Sequence, residues 1–147
     1  MLENLKAATF EVLETMFFLF PETLEGVAGL FHGPGVRAWV PIQGPKGLRV
    51  GLTVPLKMAQ EMGANFLGIS TDQLSQEKME DVLKEAANMV AGAFLGREKA
   101  SADFHLMPPQ ITILNLDEEK WEENGNHVLF AVDDYGMEVF LEKNGNS

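Results

Sequence analysis

Apolar residues recur at helical spacing in three stretches of this chain and at alternating spacing in most of what lies between them. The longest helical stretch is residues 75–96, SQEKMEDVLKEAANMVAGAFLG. At about 100° per residue, Met79, Val82, Leu83, Ala86, Ala87, Val90 and Phe94 fall in one arc, which predicts a core face. Ser75 suits the N-cap, and Glu77 and Glu80 favour the positive end of the helix dipole. Opposite the core arc stand Asp81, Glu85, Asn88 and Gly92, spaced four, three and four residues apart, so their side chains stack along one outward stripe.

The remaining chain predicts an α+β fold. Residues 3–20 form a first amphipathic helix with a buried stripe of Leu5, Val12, Leu13, Met16 and Phe20, ended by Pro21. Phe10 and Phe17 lie beside that stripe, where they either widen the core face or offer a contact to another subunit. Residues 22–35, rich in glycine and proline, make a connection with room for a short helical turn. Alternation then places Val36, Ala38, Val40 and Ile42 on one face and Arg37, Trp39 and Gln43 on the other. Leu48, Val50, Leu52 and Val54 follow the turn GPKG, which predicts a hairpin, and Pro41 implies an edge or a bulge within it. From Pro55 to Leu67 the spacing is helical again, with Leu56, Ala59, Met62, Gly63 and Phe66 on one side and Gly68 as the stop.

After the long helix a strand is expected from Ala102 to Met107, then Pro108-Pro109, then a strand from Ile111 to Leu114. The acidic run that follows is expected to be a solvated loop over 117–126. A closing hairpin, HVLFAVD and GMEVFLE, has its turn expected at Asp134-Tyr135-Gly136. Val128, Phe130 and Val132 share one of its faces, as do Met137, Val139 and Leu141, and residues 143–147 are expected to fray. The order of elements gives one domain over 1–147, with helices packed against a largely antiparallel sheet.

The outward stripe of the long helix is not built for helix stability. Asp81 and Glu85 are like charges at i,i+4, a cost of about 0.2–0.5 kcal/mol. Asn88 is a poor mid-helix residue, and Gly92 costs about 1 kcal/mol relative to alanine. Either the stripe is merely the solvated back of a helix, or it answers to something outside the helix. The string Asp81-x3-Glu85-x2-Asn88, followed by Met89-x-Ala91-Gly92 and later by Pro108-Pro109, resembles the signature of the CheC/CheX/FliY phosphatases of bacterial chemotaxis, and within them the single-site CheX type. The first helix has EVLETM where a second E-x-x-N would stand, so one site per chain is expected.

That resemblance implies the same fold, a homodimer whose sheets join into one, and hydrolysis of the aspartyl phosphate of a CheY-type response regulator. It implies catalytic roles for Glu85, which pairs with the regulator's lysine, and for Asn88, which orients the attacking water. Asp81, Gly92 and Pro109 are then partner-binding residues. No cofactor of the chain's own is implied, because Mg2+ comes with the phosphorylated regulator. The residues themselves leave a second possibility open, a non-catalytic module that binds a regulator or a flagellar-switch component through the same fold.

Composition narrows the setting. A formal charge of −11 argues against nucleic acid and against an anionic membrane as partners. The chain has no cysteine, so disulfides and thiolate metal sites are excluded. His32, His105 and His127 form no H-x-H or H-x-x-x-H pair, which argues against zinc. No signal pattern or spanning apolar run stands out, and a cytoplasmic protein is expected.

Overall fold

The computed structural model describes residues 1–45, 47–99 and 103–143. Helices α1 (Leu2–Met16), α2 (Leu56–Leu67) and α3 (Gln76–Arg97) pack on an antiparallel sheet. Its strands are β1 (Pro21–Glu22), β2 (Pro34–Gln43), β3 (Leu48–Pro55), β4 (His105–Leu106), β5 (Gln110–Asn115), β6 (His127–Val132) and β7 (Tyr135–Lys143). They lie in the order β1-β6-β7-β3-β2-β4, with β5 also paired to β2. The α+β architecture expected from the sequence is the one observed. Among the described residues, no helix is long and apolar enough to cross a membrane.

The inward face of the sheet follows the alternation. Val36, Ala38, Val40, Ile42, Val50, Leu52 and Val54 are fully buried, and Phe130, Val132, Met137 and Val139 continue the same core across β6 and β7. Gly51 leaves room on the opposite face for the ring of Phe140. A Cβ there would lie 2.7 Å from the Ala38 carbonyl and 2.8 Å from the Trp39 Cβ, under the ring of Phe140. Pro41 marks neither an edge nor a bulge. It lies where the strand beside β2 is interrupted, since β4 pairs with Ile42 and Gln43 while β5 pairs with Pro34 to Trp39. The Met107 amide donates to the Pro41 carbonyl at 2.8 Å across this break.

The first helix ends four residues earlier than its apolar spacing suggests. Phe17 turns inward and is fully buried, its ring stacked on Phe66 at 5.3 Å, while Met16 and Phe20 are exposed. Phe18 takes φ +58°, the left-handed conformation usual after a helix end, and the amides of Phe17 and Leu19 both donate to the Leu13 carbonyl. Burial of Phe17 and Leu19 thus outweighs another turn of helix. Phe10 packs edge-on against Phe130 at 5.1 Å, so both uncertain phenylalanines widen the core. Pro21 does not simply stop a helix; it opens β1, opposite Val132.

Three further expectations are corrected. The closing turn is at Asp133-Asp134, because Val132 pairs with Tyr135. Gly136 belongs to β7 and leaves space for Phe31, whose ring would lie 2.6 Å from an added Cβ. The expected strand from Ala102 shrinks to His105–Leu106, and Ala102 itself lies outside the described residues. Of the expected frayed tail, Lys143 is the last residue of β7, paired with Leu48, and 144–147 lie outside the described residues.

The acidic run is not free of the fold. It begins in a 3-10 turn at Leu116–Glu118 and lies against the face of the sheet opposite the helices. Trp121 stacks on Phe31 at 4.4 Å and donates its indole N–H to the Leu116 carbonyl. Glu119 takes a two-pronged pair from Arg37, at 2.8 and 3.2 Å. Behind it the nearly buried Glu138 accepts from Thr53 at 3.0 Å and meets His127 Nδ1 at 2.8 Å. A carboxylate buried without such partners would be strongly destabilising. Most side chains of the run are still solvated, but its path is fixed by strands far away in sequence.

Candidate functional site

α3 begins as its sequence directs: the Ser75 hydroxyl accepts the Lys78 amide at 3.1 Å. All seven residues of the predicted arc are buried, and Ala91 joins them. Ala86, Ala87 and Ala91 keep that face low, so the helix packs closely on the sheet and against both α1 and α2. Ala91 is therefore a core residue.

The outer stripe is present as a surface. Asp81, Glu85 and Gly92 are exposed and Asn88 is half-buried. Among the described residues, the side chains of Asp81, Glu85 and Asn88 make no hydrogen bond or ion pair. At about 1.5 Å per residue, Glu85 and Asn88 are separated by about 4.5 Å along the helix axis. The space over Gly92 is open, with nothing within 4 Å of an added Cβ. A carboxylate and an amide so placed can hold a cation and a water that an approaching partner brings, because neither is engaged by another described residue.

Beside the stripe lies a cleft of about 570 Å3 between the end of α2 and the first half of α3. Phe66, Leu67 and Ile69 form its apolar wall, and Asp81 and Glu85 stand on the opposite side. The periodicity assigns Phe66 to the apolar side of α2 but gives Leu67 and Ile69 no role. Their position follows from the left-handed Gly68, φ +67°, which stops the helix and turns the chain.

Pro109 lies elsewhere. It lines a second groove with Trp39, Pro41 and Met107, at the break between β4 and β5. The structure thus brings Asp81, Glu85, Asn88 and Gly92 onto one helix face and does not bring Pro109 into the cleft that Asp81 and Glu85 border. Among the described residues, no group of three or more His, Asp or Glu side chains is arranged to hold a metal ion.

The molecule is a three-helix layer on an antiparallel sheet, and its longest helix carries an acid and an amide with no partner among the described residues. The family model described as chemotaxis phosphatase CheX matches residues 36–131, more than half of the chain and all of α3, and the chain belongs to this family. No curated protein matches it in sequence. Among solved structures it is similar to the chemotaxis protein CheX from Desulfovibrio desulfuricans, with a TM-score of 0.72 at 19% identity over 97% of both chains. CheX from Vibrio vulnificus gives 0.69 at 21% identity over 95% of both. The CheX-CheY-BeF3-Mg2+ complex from Borrelia burgdorferi gives 0.65 at 19% identity over 96% of both. At such identities the likeness is one of fold.

The open space over Gly92 generates a stability prediction. Gly92→Ala adds helix propensity and meets nothing, so it stabilises the fold by about 1 kcal/mol. A urea titration checks this as a higher midpoint with an unchanged slope.

Proposed function

We propose that this chain is a phosphatase acting on the aspartyl phosphate of a CheY-type response regulator. The observation that carries the reading is the pair Glu85 and Asn88, one turn apart on an accessible face and without a partner among the described residues. Membership of the CheX family and the fold shared with a CheX bound to CheY support it.

An aspartyl phosphate is a mixed anhydride with a good carboxylate leaving group, and phosphoryl transfer from it needs mainly a water held in line with phosphorus. In this reading the Asn88 amide orients that water, its carbonyl accepting a water proton in a hydrogen bond. The water oxygen bonds to phosphorus as the bond to the aspartyl oxygen breaks. The electron pair leaves with the carboxylate, and both water protons finish on the released phosphate, H2PO4−. Glu85 pairs with the regulator's active-site lysine and so fixes where α3 sits over the phosphate. The Mg2+ of this chemistry belongs to the phosphorylated regulator, and the Glu85 and Asn88 roles require no ion of the chain's own. The reaction takes place in the cytoplasm, where such regulators work.

The chain also works, in our reading, as a homodimer joined through β5. That strand pairs with β2 along one edge, its other edge has no strand partner among the described residues, and Ile113 on it is 47% exposed. An open apolar edge of this kind is a template for a second strand.

Two predictions follow from these roles. Asn88→Ala lowers the saturating rate of acyl-phosphate decay about a hundredfold, about 2.7 kcal/mol, with regulator binding nearly intact. Glu85→Ala weakens binding as well. Single-turnover decay of a phosphorylated receiver domain measures both, and full activity of Asn88→Ala would leave only a binding module. In sedimentation at tens of micromolar, the wild type runs at twice the 16.2 kDa chain mass. Ile113→Lys, which places a charge on the open edge, runs as a monomer, and a monomeric wild type would contradict the dimer.

A further inference from the structure

We propose that the cleft beside the stripe is the part of the surface that selects the regulator, by receiving an apolar side chain flanked by a basic one. The inference rests on the phosphatase reading and deepens it, because the cleft and the Glu85–Asn88 pair share Glu85. It commits to one occupant, the surface of the phosphorylated receiver domain beside its phosphorylation site.

The chemistry of the cleft has two parts. Phe66, Leu67 and Ile69 on one side and Val82 at the back give it an apolar floor and wall. Leu67 is 42% exposed at the end of α2, where the fold itself gains little from a leucine. Across from it the carboxylates of Asp81 and Glu85 have no partner among the described residues. Lys78 stands at the end of the cleft nearer the start of α3. An apolar group alone would leave the two acids unmatched, and a cation alone would leave the apolar wall wet. The matching ligand carries both, and an apolar side chain next to a lysine or arginine on a protein surface does so.

The wall is held before any partner arrives. Phe66 stacks on the buried Phe17 at 5.3 Å, and the Asn65 amide donates to the Phe17 carbonyl at 3.1 Å. These contacts tie the end of α2 to the turn after α1, so little ordering remains to be done on binding. In that turn Phe18 follows Phe17 in a left-handed conformation and is 68% exposed. Its ring adds exposed aromatic surface at this end of the molecule. At its far end α3 is tied to α1 instead, with Arg97 on Glu11 at 3.1 Å and Glu98 bonded to Asn4.

The test uses the full chain and a CheY-type receiver domain in two forms, phosphorylated with acetyl phosphate and activated with BeF3− and Mg2+. Leu67→Ser removes the apolar contact and Leu67→Ile restores it. With Leu67→Ser, KM for the phosphorylated receiver rises about tenfold, equal to about 1.4 kcal/mol, while the saturating rate stays at the wild-type value and Leu67→Ile recovers the wild-type KM. Calorimetry with the BeF3− form shows the same loss of affinity, and circular dichroism shows Leu67→Ser folded. If the wild type turns over the receiver and Leu67→Ser leaves both KM and affinity unchanged, the cleft plays no part and the inference falls while the phosphatase reading stands. If the wild type binds the BeF3− form without accelerating decay, and Leu67→Ser weakens that binding, the phosphatase reading falls and the cleft remains. A wild type that neither binds nor turns over any receiver overturns both.

Discussion

Burial of the apolar arc of α3 constrains everything else in this molecule. Met79, Val82, Leu83, Ala86, Ala87, Val90, Ala91 and Phe94 face the core together. Turning the helix by one residue, about 100°, would drive Asp81 or Glu85 toward the sheet, where an unpaired carboxylate costs several kcal/mol. The core thus sets the direction of the acid and the amide, although neither touches it in any specific way. Asn88 is held to about one rotamer's reach of its helix by a short stem, so a rigid α3 is what makes it a positioned group.

The two faces of the sheet are stabilised by different means. The helix side is apolar, and its packing fixes the site. The opposite side carries Arg37, Arg49, His127, Glu138 and Glu142 in a connected set of ion pairs and hydrogen bonds, closed over by Glu119 of the acidic run. Part of the chain's negative charge is therefore spent within the fold. Asp81 and Glu85 are not part of that set, and their carboxylates have no partner among the described residues.

How much of this was legible in the sequence depended on whether the deciding contacts were local. α3 was legible apart from the burial of Ala91, since its periodicity, its Ser75 cap and its outward stripe all lie within one stretch of chain. The alternation of β2 and β3 was equally plain. The end of α1 was not, because Phe17, Phe18, Leu19 and Phe20 form an unbroken apolar run, and which ring turns inward is decided by Phe66 and Asn65 of another helix. Gly136 resembled a turn residue, yet its reason is the ring of Phe31 more than a hundred positions earlier. The pairing of Glu119 with Arg37 was hidden for the same cause. Within the candidate site, Glu85 and Asn88 could be found by helical spacing, whereas the role of Leu67 and Ile69 could not, since the cleft they line forms only where the end of α2 meets α3.

The central claim is that a partner's phosphorylated surface comes almost into contact with α3 at Asn88. Gly92→Leu tests it directly, because a leucine there leans back over the turn that holds Asn88, and its Cβ has nothing within 4 Å among the described residues. The measurement is the decay of acyl phosphate on a CheY-type receiver with this variant, alongside its melting temperature. The account predicts a protein at least as stable as wild type that no longer accelerates decay; a folded variant with full activity would contradict it and remove the site from this face of the helix.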